Sequence, residues 1–224
     1  LGEFLQELAT TYAPARTEDT PENREFNARV MEHEVRLALS SGGSTDAVGW
    51  YGKTVADTRR VASLIHPELA TDDNAWFAFT YALAVTSNGH PIDQNVRNAF
   101  KVYEKYDPKT NKMPVMGFGK VHKAMKRAFT LWNEQVAARG LIGWHEFLLT
   151  KYDVRELKEI SPNIRELTGD KVYGGTVIGS KIGGGFLQNI NGNYDALTMD
   201  RWFMRTWGRI IGHLAEVQTV REEV

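Results

Sequence analysis

The chain has no cysteine in its 224 residues. That absence excludes disulfide frameworks, thiolate zinc sites, iron–sulfur clusters and thiol catalysis. Long hydrophobic runs are missing too: no stretch reaches the roughly 18 apolar residues of a spanning helix, and no secretory leader is legible. Net charge is almost absent, with 27 Lys and Arg against 28 Asp and Glu, which argues against a generically basic nucleic-acid binder. At 42% apolar and 25% charged residues the composition is that of a soluble globular protein. A chain of this size buries roughly 70% of its unfolded surface, enough to fold without a disulfide or structural metal. The expectation is a cytoplasmic monomer with no membrane contact. The chain opens at Leu1, so a module of a larger protein stays open.

The neutral total hides a gradient. Residues 1–35 carry acids at Glu3, Glu7, Glu18, Asp19, Glu22, Glu25, Glu32 and Glu34 against Arg16, Arg24 and Arg29. Residues 109–139 carry Lys109, Lys112, Lys120, Lys123, Lys126, Arg127 and Arg139 against Glu134 alone. One electropositive face on a neutral protein, or a merely solvated helix face, both fit this asymmetry.

Helical punctuation dominates. Thr20 as N-cap and Pro21 at the first helical position open a helix that Gly42 and Gly43 stop. Further helices are expected over 45–65, 72–87, 93–106 and 120–138, with shorter ones at 144–150, 154–160 and 162–167. The 72–87 segment is apolar on every side, as a central buried helix would be. Residues 107–119, with Pro108, Pro114 and two glycines, read as a loop. Without a convincing alternating run, the fold class is all-α. The expected division is an acidic helical segment, 1–44, followed by one domain over 45–224. Trp50, Trp76, Tyr81 and Trp132 are expected in the core, although an aromatic could also stack on a flipped base.

The segment from Gly174 to Arg209 concentrates the chemistry: GGTVIGSKIGGGFLQNINGNYDALTMDRWFMRTWGR. Its crowded glycines imply backbone brought close to a partner. It is neither a Walker A loop nor a Rossmann fingerprint. Lys181 and Asp200 stand 19 positions apart across one short helix and a return loop, a spacing that can bring an amine and a carboxylate to one pocket. A neutral amine attacks a sugar C1′ to form a Schiff base, and a carboxylate stabilises the cationic sugar. Lys181 as a surface lysine and Asp200 as a helix N-cap are the plainer readings. Arg201, Arg205 and Arg209 recur every fourth position, placing them on one helix face. Phosphate contacts or pairing with the acidic N-terminal segment both fit that stripe. No pair of the six histidines has persuasive metal spacing, and His145-Glu146 lacks the second His of a zincin, so no catalytic metal is expected.

These residues resemble the helix–hairpin–helix DNA glycosylases, in which a hairpin ending in Gly-x-Lys leads through a helix to an apolar-Asp step. Gly179-Ser180-Lys181 is similar to the hairpin end, and Thr198-Met199-Asp200 to the apolar-Asp step. The resemblance implies a two-lobed helical fold with the active site between lobes, Lys181 as Schiff-base nucleophile and Asp200 as catalytic carboxylate. It implies duplex DNA as partner, contacted by Gly175, Gly179 and Ser180 of the hairpin and by Lys120, Lys123, Lys126, Arg127, Arg201 and Arg205. Asn88, in the small-polar turn Ala84-Val85-Thr86-Ser87-Asn88, matches the residue that wedges into the duplex. The implied activity is a DNA glycosylase with β-lyase capacity, and no cofactor. A monovalent cation at the hairpin carbonyls stays open, because Gly175-Thr176-Val177-Ile178-Gly179 replaces the family's Leu-Pro-Gly-apolar-Gly. The phrase Thr198 to Trp202 also looks like phage-associated relatives of this fold. An enzyme modifying thymine-derived bases, or a non-catalytic DNA-binding module, therefore remains an alternative.

Overall fold

A computed structural model describes residues 18–40, 50–199 and 201–210. These residues are mostly helical, which agrees with the all-α expectation. The chain divides into two compact units. Of the described residues, 18–40, Trp50, Met199 and 201–210 fall in the first, and Tyr51 to Thr198 in the second. The terminal segments thus group together, whereas the sequence placed everything after residue 44 in one domain.

In the first unit, helix α1 (Pro21–Ser40) begins as its sequence predicts, with the Asn23 N–H donating to the Thr20 hydroxyl at 3.2 Å. Phe26, Val30 and Ile210 form its small buried cluster.

The second unit contains α2 (Trp50–Ala62) from Tyr51 onward, α3 (Glu68–Thr71), α4 (Asp73–Thr86), α5 (Ile92–Tyr103) and α6 (His122–Leu149). Helix α4 is the core. Its N-cap Asp72 accepts from the backbone N–H groups of Asn74 and Ala75, and every residue from Ala75 to Thr86 is buried. A helix apolar on all sides has no solvent face to offer, so α3, α5 and α6 pack round it. Tyr81 donates its buried phenol to the Ala128 carbonyl at 2.8 Å and sits against Trp132. Trp76, Tyr81 and Trp132 are thus core residues.

Helix α6 is broken at Gly140, whose φ of 75° and ψ of 165° are non-helical. The basic helix and the shorter one expected after it are its two halves. Beyond it, β1 (Lys151–Asp153) pairs antiparallel with β2 (Lys171–Tyr173). Three-residue strands are too short for alternation to register in sequence. Between them lies α7 (Val154–Ile160), capped by a reciprocal Asp153–Glu156 box. The helix expected over 162–167 does not form: this stretch is turn and coil, with the helix ending before Pro162.

Candidate functional site

The glycine-rich segment folds as two tight turns crossing backbone on backbone. Gly174–Ile178 is a 3₁₀ turn ended by Gly179, whose φ of 116° suits only glycine. Ile182–Phe186 is a single π turn that runs into α8 (Leu187–Ile190). A Cβ on Gly175 or Gly183 would strike the other's carbonyl oxygen, and one on Gly174 would strike the Phe147 carbonyl. Gly183 and Gly184 both donate N–H to the Gly179 carbonyl, at 2.8 and 3.2 Å. The glycines that looked costly for a helix are what lets the turns touch, and the distorted first turn after Lys181 follows from that crossing.

Two buried amides after the π turn organise what surrounds it. Gln188, fully buried, donates to the Leu148 carbonyl at 2.9 Å and the Gly183 carbonyl at 2.7 Å, and accepts from Asn193 at 2.9 Å. Asn189 donates to the carbonyls of Asn193 and Ala196 and accepts from the Thr198 hydroxyl at 2.6 Å. Together they shape the return loop that leads to Asp200. Asp195 on this loop accepts from Lys151 Nζ at 2.7 Å and the Tyr173 phenol at 2.6 Å, tying the loop to both strands. These bonds hold its carboxyl below the ordinary carboxylate range and hold Lys151 above the ordinary lysine value. Sequence reasoning missed Gln188, Asn189 and Asp195, because polar residues beside glycines look like loop chemistry until their partners are placed.

The expected site residues distribute as follows. Lys181 is exposed at the start of the π turn; its carbonyl accepts from the Phe186 N–H at 2.9 Å, while its side chain has no hydrogen-bond or ion-pair partner among the described residues. Asp200 lies outside the described residues. Arg201 and Arg205 are on α9 (Arg201–Ile210) in the other unit. Gly175 is buried against Gly183, while Gly179 and Ser180 are exposed. Lys120, Lys123, Lys126 and Arg127 are all exposed at the start of α6 and just before it.

Asn88 is half-buried in the turn after α4, beside Gly89 at φ 74°, and its carbonyl meets His90 Nδ1 at 3.0 Å. That turn is anchored underneath by Thr86, whose buried hydroxyl donates to the Asn95 side chain at 2.7 Å.

Lys126, Arg127, Gly179 and Ser180 come together. They line a groove of about 690 Å³ together with the segment Ser161–Glu166. Arg165 adds a third cation, and Glu134 and Glu166 add carboxylates. Among the described residues no ion pair joins these cations to these acids. Glu166 Oε2 is shielded from water and has no donor, a state that costs about 1–3 kcal/mol in a folded protein. Sequence reasoning missed Arg165 and Glu166 because it read their segment as a helix.

A second cavity, about 450 Å³, sits at the Gly140 break, lined by Asp72, Tyr106, Asn111 and Arg139 among others. Nearby in sequence, His145 stacks on Phe77 with ring centroids 3.8 Å apart, and burial holds its imidazole below the ordinary histidine value. Among the described residues no group of three or more His, Asp or Glu is placed to hold a metal ion, and no helix is long and apolar enough to cross a membrane.

No family model matches the chain, and neither a curated protein nor a solved structure shows similarity to it.

Proposed function

We propose that the protein binds DNA through the start of α6 and the Gly179-Ser180 turn, and that Lys181 and Asp200 act on the sugar of an expelled base. The observation that carries this reading is the groove. It joins exposed cations of α6 to a glycine turn, with Lys181 next in the chain and itself exposed. Exposed cations without acidic partners suit phosphate oxygens, which take most hydrogen bonds in protein–DNA contacts. The 3₁₀ turn, the positive-φ Gly179 and the short helical run that follows support a divergent helix–hairpin–helix arrangement.

On this reading the Lys181 amine attacks C1′ of the flipped nucleotide. The N-glycosidic bond breaks, the base leaves with the bonding electron pair, and Asp200 stabilises the sugar cation. Opening of the C1′–O4′ bond, with the amine proton passing to O4′, converts the resulting aminal into an imine, and loss of a C2′ proton then expels the 3′ phosphate by β-elimination. Base expulsion is required because C1′ is shielded within the stacked duplex.

Borohydride trapping on duplex DNA with one abasic site tests this chemistry. A covalent adduct from the wild type that is lost in Lys181→Ala is expected. No adduct from folded wild type refutes the imine. Binding is tested separately by anisotropy over a salt series, where Lys126→Ala and Arg127→Ala should each lower the log–log slope by about 0.9. A non-catalytic DNA-binding module is the second reading, favoured by the exposure of Lys181. It predicts the salt slope without the adduct.

A further inference from the structure

We infer that Thr198 is a positioning residue for Asp200, its hydrogen bond to the buried Asn189 side chain fixing the point from which the chain runs on to the carboxylate. This deepens the proposed reading and rests on it. Thr198 is the last residue of the second unit, and its hydroxyl donates to Asn189 Oδ1 at 2.6 Å. Asp200 follows two residues later, so its Cα is tethered within about 7 Å of that point. The point itself rests on the π turn: a Cβ on Gly185 would meet the Leu197 carbonyl oxygen at 2.8 Å and Thr198 Cα at 2.9 Å. That turn opens at Lys181, whose carbonyl accepts from the Phe186 N–H at 2.9 Å. One short stretch of backbone therefore carries the amine at its start and the end of the return loop against its side.

Apolar burial does not hold this end of the loop, because Leu197 and Met199 are 54% and 52% exposed. Polar bonds hold it instead. Asn189 Nδ2 donates to the Asn193 and Ala196 carbonyls at 3.1 and 2.9 Å, and Asp195 is tied to Lys151 and Tyr173. These anchors stop at residue 196. Among the described residues, the Thr198 bond alone reaches residues 197–199. Removing its donor frees the last step to Asp200 while every upstream anchor stays in place. Valine keeps the branched shape without the hydroxyl, and serine keeps the hydroxyl. A reacting group displaced by about 1 Å loses up to about a hundredfold in rate, so the effect belongs to the rate of chemistry and not to DNA affinity.

The test uses the full chain and duplex DNA with one abasic site, measuring the single-turnover rate of borohydride trapping, the binding affinity by anisotropy and Tm by circular dichroism. Thr198→Val should slow trapping by about tenfold to a hundredfold and leave affinity within about twofold of wild type. Thr198→Ser should restore the rate to within about threefold. Asp200→Asn, which removes the carboxylate charge, should itself slow trapping. Adding Thr198→Val to Asp200→Asn should slow it no further, because a residue that acts through Asp200 then has nothing left to position. A residue that merely supports the fold would slow both backgrounds alike.

A Thr198→Val rate within about twofold of wild type, or equal slowing in the wild-type and Asp200→Asn backgrounds, overturns the inference while the lyase reading stands. So does a serine variant as slow as the valine one, which would make side-chain shape the cause. An affinity loss as large as the rate loss would assign Thr198 to DNA binding and overturn its positioning role. An Asp200→Asn rate equal to wild type removes the carboxylate from the chemistry and this inference with it. No adduct from folded wild type overturns the imine reading itself, and the inference falls too.

Discussion

Replacing Gln188 with leucine tests the hydrogen-bonded hub beneath the candidate site. The side chain is fully buried and its amide donates to two carbonyls, those of Leu148 and Gly183. Leu148 lies in the last turn of α6, where carbonyls have no intrahelical donor, so Gln188 caps that helix. Gly183 lies in the π turn and is pressed against Gly175. Leucine is close in size, so the change removes donors and leaves volume nearly constant. Two buried carbonyls without donors cost about 1–3 kcal/mol each. The greater apolar burial of leucine offsets about 1–2 kcal/mol. The net loss spans about 0–5 kcal/mol and centres near 2–3 kcal/mol, with Asn193, half-buried, turning to water for its lost acceptor. For a chain of this length the central value corresponds to a fall in Tm of roughly 4–12 °C. Thermal unfolding by circular dichroism, with urea titration for the free energy, reads it directly. Gln188→Met, equally long and equally without donors, should behave the same. A Tm within about 2 °C of wild type for both variants would refute the assignment of Gln188 as a hub. Damage from leucine alone would make shape, not hydrogen bonding, the cause.

The crossing of the two glycine turns makes Gly183→Ala costly, by about 1–3 kcal/mol or more, because its Cβ meets the Gly175 carbonyl. Gly192→Ala, at φ 89° with open space around it, should cost only the left-handed strain of about 1–2 kcal/mol. Urea midpoints that reverse this order would contradict the packing account. For His145, burial holds the folded imidazole below its ordinary value, so the unfolded chain binds the proton more readily. Stability should therefore fall as pH drops through about 6.5 and level off below the folded value. His145→Gln should remove that part of the slope in unfolding curves at pH 8 and pH 5, and an unchanged slope would assign it to other groups. Tyr81→Phe should cost about 1 kcal/mol by removing a buried hydrogen bond to the Ala128 carbonyl, which keeps its helical donor. A neutral result in the same titration would mean that this second bond adds nothing net to stability.

Legibility in the sequence was uneven, and the pattern has a physical basis. Helices whose termini carry their own chemistry were readable: Thr20-Pro21 opens α1, Asp72 caps α4, and α7 spans Val154–Ile160 as expected. The two halves of α6 were read as separate helices, 120–138 and 144–150, which part at Gly140, and the burial of α4 was legible in its apolar faces. The short strands were not readable, because their pairing is between segments about 20 residues apart and each offers only three residues. The coil at 162–167 was misread because Pro162 suits a first helical turn as well as a break. At the candidate site, glycine density correctly signalled close backbone approach. The partner of that approach proved to be the chain's own second turn.

By itself, the sequence determined a mostly helical protein, its principal helix boundaries, its buried central helix and the clustering of basic charge at the start of α6. These are local properties, set by caps, periodicity and the φ preferences of Gly and Pro over a few residues. Only the tertiary structure decided that Lys126 and Arg127 share a groove with Gly179, Ser180, Arg165 and Glu166. It alone decided that Gln188 serves Leu148, 40 positions earlier, and that Asp195 holds Lys151 and Tyr173. Such contacts depend on which surfaces meet once α4 is enclosed, and no spacing along the chain encodes that meeting.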